Sequence, residues 1–135
     1  MPLLRSTLLA SLLLSSLFAD AKQTFEAKCA MCHTTTIPQD RSKLVAPPIM
    51  GVMRHVKMHY PNKEEAINFI VDYVMNPSKK KAVCMPQKIQ RFGLMPSLKG
   101  QISVDELKEV AGWLYDNFAN FKGGMQGKCK MKMPK

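Results

Sequence analysis

Cys29 and Cys32 stand one helical turn apart and His33 follows at once, a spacing that suits one chemistry above others. Two thiols so placed can each add to a vinyl group of a haem, and the adjoining imidazole is then positioned to ligate the iron. A Cys-x-x-Cys pair also occurs in thioredoxin-like redox sites and in zinc sites. The first wants a surrounding βαβ pattern rich in β-branched residues, and the second a further close Cys or His pair. Neither is visible, since Cys84 and Cys129 are single and far apart. The motif therefore predicts one covalent haem c, held by Cys29 and Cys32, with His33 as the proximal iron ligand.

A distal ligand must then come from elsewhere in the chain. A thioether sulfur is soft and neutral, favours ferrous iron, and suits an electron carrier. Of the eleven methionines, Met95 is singled out by Gly93-Leu94-Met95-Pro96, which gives a flexible approach before the sulfur and a fixed φ after it. Met85-Pro86 lacks the preceding glycine, while Met50, Met53 and Met58 fall in what reads as a Pro-rich loop with no presenting frame. His55 and His59 are the competing ligands, and either would give a bis-His iron of lower potential.

The N-terminus agrees with haem attachment. Residues 1–21 read as a signal peptide: Arg5, an apolar run from Leu8 to Phe18, then small residues at Ala19 and Ala21. Cleavage is expected after Ala21, with Ala19 as the alternative and an uncleaved anchor as a further one. The apolar run is shorter than the roughly 18–20 residues of a spanning helix. Export to the periplasm places the chain where thiols oxidise and where bacterial covalent haem ligation takes place. Residues 22–122 then form one monohaem domain, and residues 123–135 a basic tail rich in Gly, Lys and Met.

Two cysteines are left over. In an oxidising compartment Cys84 and Cys129 can form a disulfide that closes a loop around the last helix. Alternatively Cys84 is a buried small hydrophobe and Cys129 a tail thiol, or Cys84 ligates the haem or carries sulfur chemistry.

Periodicity predicts about three helices, long loops and no strand, an all-α class. The first covers about Lys22 to Met31, with Phe25 one turn before Cys29 and facing inward. The second runs from Lys63 to Met75, opened by Asn62 with Glu65 and closed at Asn76-Pro77, with Ile67, Ile70, Val71 and Val74 at helical spacing. The third opens on a capping box, Ser103 with Glu106, and runs to about Asn120. Leu107, Val110, Ala111, Leu114 and Phe118 make its apolar stripe, flanked by Trp113 and Tyr115, which read as core packing.

Phe25-Glu26-Ala27-Lys28-Cys29-Ala30-Met31-Cys32-His33, Gly93-Leu94-Met95-Pro96 and the closing amphipathic helix occur in an order that resembles the class I c-type cytochromes. The resemblance spans nearly the whole mature length and implies a small cytochrome c-like fold around one covalent haem, with the last helix crossing the first so that Phe25 meets the stripe near Leu114. Ala46-Pro47-Pro48-Ile49-Met50-Gly51 is similar to the family's Gly-Pro-x-Leu-x-Gly loop, with Ala in place of the first Gly. It implies that Pro47 or Pro48 lends a backbone carbonyl to the ring nitrogen of His33. The stretch from Thr34 to Leu44 departs from the shortest members of the family.

Charge bears on partners. The formal net charge is +10, with Lys79-Lys80-Lys81 and the tail as the main clusters. Such a domain can be steered toward acidic docking surfaces on redox partner proteins, or rest peripherally on an anionic membrane. Nucleic acid is not an expected partner, because no helix-turn-helix, zinc finger or stacking platform accompanies the charge. The expected function is a periplasmic one-electron carrier rather than an enzyme. The alternative is a haem subunit that is catalytic or admits electrons from a small sulfur compound or peroxide, with Cys84, His55 or His59 taking a chemical role.

Overall fold

The structure, a computed structural model, describes residues 20–120, so the expected signal peptide up to Ala19, the basic tail and Cys129 lie outside the described residues. Within them the chain is all-helical, with five α-helices and no strand beyond an isolated bridge between Lys99 and Ile102. These are α1 (Ala21–Lys28), α2 (Ile49–His59), α3 (Lys63–Met75), α4 (Pro86–Phe92) and α5 (Val104–Asn117), with a short 3-10 turn at Arg41–Lys43. Among the described residues no helix is long and apolar enough to cross a membrane.

The count of three helices is corrected to five, and both additions lie where the sequence reads as loop. In α2 the buried side chains Ile49, Met53 and Val56 recur at one helical face. The prolines before it hide this helix from a breaker-based reading, although Pro48 is its N-cap and stands outside the hydrogen-bonded turns. Met50, Met53 and Met58 are therefore helical rather than loop residues. Helix α4 starts with Pro86 at its first position, where a missing N–H costs nothing, and stops at Gly93 with φ +78°, a left-handed value that favours glycine.

Caps fix the other boundaries. Asn62 accepts from the backbone N–H groups of Glu64 and Glu65 at the start of α3. At α5 Ser103 Oγ accepts from Glu106 N at 3.2 Å, while Glu106 Oε2 accepts from Ser103 N at 2.9 Å. Those bonds, and Lys28 nearby, hold the Glu106 carboxyl below its ordinary range. The capping contribution of Glu106 is thus complete above the unfolded carboxylate pKa and is lost as pH falls through the depressed folded value. Ser103→Ala is expected to lower unfolding free energy by about 1 kcal/mol at neutral pH, and by less in acid, in urea titrations at both pH values. Asp20 Oδ1 accepts from Lys22 N at 3.3 Å and caps α1.

Helix α5 is the central packing element, lying against α3, α1 and α2. It contributes Leu107, Val110, Ala111 and Leu114 to the core, while Phe118 caps the helix in an extended conformation and is half-buried. From α3 come Ala66, Ile70 and Val74, at fourfold spacing, with Ile67 and Val71 half-buried beside them. Phe25 is fully buried, with its ring 5.5 Å from Trp113, the residue before Leu114. Trp113 also meets Phe118 edge-on at 5.4 Å, as an aromatic core residue does.

Candidate functional site

Beyond α1 the backbone continues for one more helical turn, in which the N–H groups of Cys32 and His33 both reach the Cys29 carbonyl, at 3.1 and 2.9 Å. That turn sets the two thiols and the imidazole side by side. Cys29 is half-buried and Cys32 exposed. Burial pushes the Cys29 thiol up, with Lys28 offsetting part of the effect.

His33 is held by its neighbours. Its Nδ1 lies 2.8 Å from the Pro47 carbonyl oxygen, and because a carbonyl can only accept, the proton sits on Nδ1. In the neutral ring Nε2 then keeps its lone pair for a metal, and the bond raises its donor strength. A second link, from Ile49 N to the Thr34 carbonyl at 3.0 Å, ties the Pro47-Pro48 segment to the turn after His33. Of the two carbonyls implied by the cytochrome resemblance, the structure places that of Pro47 on the ring. Pro48 instead accepts from Gly51 N and Val52 N as the first turn of α2 forms.

Met95 is presented by a loop anchored to α3. Ser97 Oγ donates to the Met75 carbonyl at 2.5 Å, and Leu98 N donates to the Val74 carbonyl at 3.1 Å. Gly93 provides the turn out of α4, and Pro96 fixes the backbone just after the sulfur.

Cys29, Cys32, His33 and Met95 all line one cavity. Its empty volume, mouth included, is about 1330 Å³, and every helix contributes to its walls. Most lining side chains are apolar, including Phe25, Met53, Val56, Ile70 and Leu114. Five partly buried positions from 69 to 92, Phe69, Tyr73, Val83, Ile89 and Phe92, complete it. Sequence reasoning missed the wall supplied by α2 and α4. Two signals could have found those helices: the Ile49, Met53, Val56 spacing and Pro86 at a helix start seven residues before a glycine.

The remaining candidates divide. Cys84 is on the cavity lining, and burial pushes its thiol up while Lys88 pulls it partly back. The Tyr73 hydroxyl is likewise pushed up, first by burial and then by Cys84. Cys129 is outside the described residues, so Cys84 is located here without that partner. His55 and His59 stand on α2 but not on the cavity lining. Burial, followed by Arg54, His59 and Lys88, pushes His55 down, and its Nδ1 is buried with no hydrogen-bond partner among the described residues.

The donor set fits a covalently attached haem: paired thiols, an imidazole with one nitrogen occupied and the other available, and a thioether, all on one wide apolar cavity. A planar macrocycle with an apolar body needs such a lining.

No family model matches the chain, and no solved structure matches it. An uncharacterized protein of Aquifex aeolicus (strain VF5) is 33% identical to it over 124 residues, covering 82% of this chain and 82% of the relative. The chain belongs to the same family as that Aquifex aeolicus protein.

Proposed function

We propose that this chain is an exported monohaem c-type cytochrome that carries one electron at a time between partner proteins in the periplasm. The observation that carries the reading is the convergence of Cys29, Cys32, His33 and Met95, from two distant parts of the sequence, on one apolar cavity. The likeness to class I c-type cytochromes adds the expected order of those parts. In the proposal Cys29 and Cys32 hold the haem by thioethers, His33 and Met95 hold its iron, and Pro47 orients His33.

When bound, the haem supplies the one-electron Fe(III)/Fe(II) couple. The chain's own residues keep that change small in structural terms. Pro47 fixes the His33 ring, and Ser97 and Leu98 anchor the Met95 loop, so the chain would hold both donors in place through a one-electron change. The apolar walls exclude water and favour the less charged ferrous form. Partner contact is served by surface lysines, among them Lys79 and Lys80, which attract an acidic docking surface in a salt-sensitive way. Such contacts are small and short-lived.

Cys84 on the cavity lining favours a second reading, a haem subunit acting on a small sulfur compound or peroxide. Cyanide and carbon monoxide separate the two. A carrier with both axial positions filled is expected to resist both ligands over minutes, whereas rapid spectral change on mixing would favour the catalytic subunit.

A further inference from the structure

The cavity lining holds no Asp or Glu among the described residues, and its two cations, Lys28 and Lys88, differ in their surroundings. Lys28 Nζ is engaged, donating to the Gln101 carbonyl at 2.9 Å and lying 3.6 Å from Glu106 Oε1. The Lys88 ammonium makes no ion pair or hydrogen bond among the described residues, while its backbone N–H donates to the Met85 carbonyl at 2.8 Å. Its Nζ lies 5.9 Å from the centroid of the Phe92 ring, and its charge reaches both Cys84 and His55. Lys88 is partly buried as a residue, and an ammonium beside an apolar wall is the natural partner for an anion that enters the cavity.

We propose that Lys88, on α4, is the counter-charge for a carboxylate of the molecule in this cavity, a haem propionate. The inference rests on the haem reading and adds to it the element that fixes which way the macrocycle's acidic edge faces. A propionate entering an apolar cavity needs a cation or donors there, and Lys88 is the lining cation without one already. Helix α4 is itself tied down, because Arg91 Nη2 donates to the Arg41 carbonyl at 2.6 Å. Lys88 is thus a positioning residue that also raises the reduction potential, since a nearby positive charge favours the less charged ferrous state.

The test compares purified, haem-bearing wild type with Lys88→Gln, Lys88→Met and Lys88→Arg, and with Lys108→Gln, an exposed lysine off the cavity. Potentials come from spectroelectrochemical titration, and carboxylate bands from redox-difference infrared spectra. Lys88→Gln and Lys88→Met are expected to shift the equilibrium toward ferric iron roughly five- to tenfold, tenfold being about 59 mV for one electron, and to move a carboxylate band. Lys88→Arg restores both, and Lys108→Gln changes the equilibrium less than about twofold. Unshifted potentials and unmoved bands in both Lys88 variants would overturn the proposal and leave the haem reading intact. A wild-type chain that matures without haem would overturn both.

Discussion

Replacing Cys29 and Cys32 together by alanine is expected to remove covalent haem entirely, leaving no haem-stained band after denaturing electrophoresis of material exported alongside a working maturation system. The effect is all-or-none because both proposed thioether bonds would use those thiols, and the other described cysteine, Cys84, stands apart from His33 in sequence and is not part of its turn. Stability should fall as well. Phe25, Met53, Val56, Ile70, Val74, Leu107, Val110 and Leu114 are core residues that also line the cavity. An apolar void costs roughly 24 cal/mol per Å³, so a few hundred Å³ left unfilled rivals the ~5–15 kcal/mol that holds a small domain together. The double variant should therefore lose cooperative thermal unfolding in circular dichroism. Single variants, each keeping one thioether, should retain haem at reduced yield and unfold at lower temperature.

Met95→Ala is expected to lower the reduction potential by on the order of 0.1–0.3 V, within the ≈ 0.8 V that axial ligands span, and to abolish the far-red sulfur-to-iron charge-transfer band of the ferric protein. Thioether sulfur stabilises ferrous iron, and its loss leaves water or a nitrogen base to take the position. The loop itself should survive, because its anchors, Ser97 to Met75 and Leu98 to Val74, do not involve the Met95 side chain. Spectra of both oxidation states together with a potentiometric titration read the result. An unchanged band would move the ligand to another methionine on the cavity, and Met53 is the one the structure offers.

How much was legible depended on whether a signal was local. The boundaries of α3 were readable because Asn62, Glu65 and Asn76-Pro77 act within a few residues of the helix ends, and the observed helix is Lys63–Met75. Helix α5 was readable at its start for the same reason, but it ends at Asn117 rather than Asn120. There Phe118 turns extended, and Asn117 and Asn120 bond back to the Trp113 and Asp116 carbonyls instead of extending the helix. Helix α2 reads as a Pro-rich loop because Pro47 and Pro48 precede it, whereas burial of Ile49, Met53 and Val56 on one face holds it as a helix, with Gly51 in its first turn costing at most about 1 kcal/mol. Helix α4 is only seven residues long, too short for its periodicity to stand out. Of the site, Cys29, Cys32 and His33 announce themselves by spacing and Met95 by its flanking Gly and Pro. Lys88, Tyr73 and the α2 wall do not, because tertiary packing alone brings them to the cavity.

The mass of the mature wild-type protein, exported by a host with intact haem maturation and analysed under denaturing, reducing conditions, tests covalent haem attachment most directly. A polypeptide heavier by one haem is expected, with the added mass retained through acidified organic solvent and located by peptide mapping on the fragment containing Cys29 and Cys32. A mass equal to that of the bare polypeptide, or pigment that washes away in the acid solvent, would contradict it.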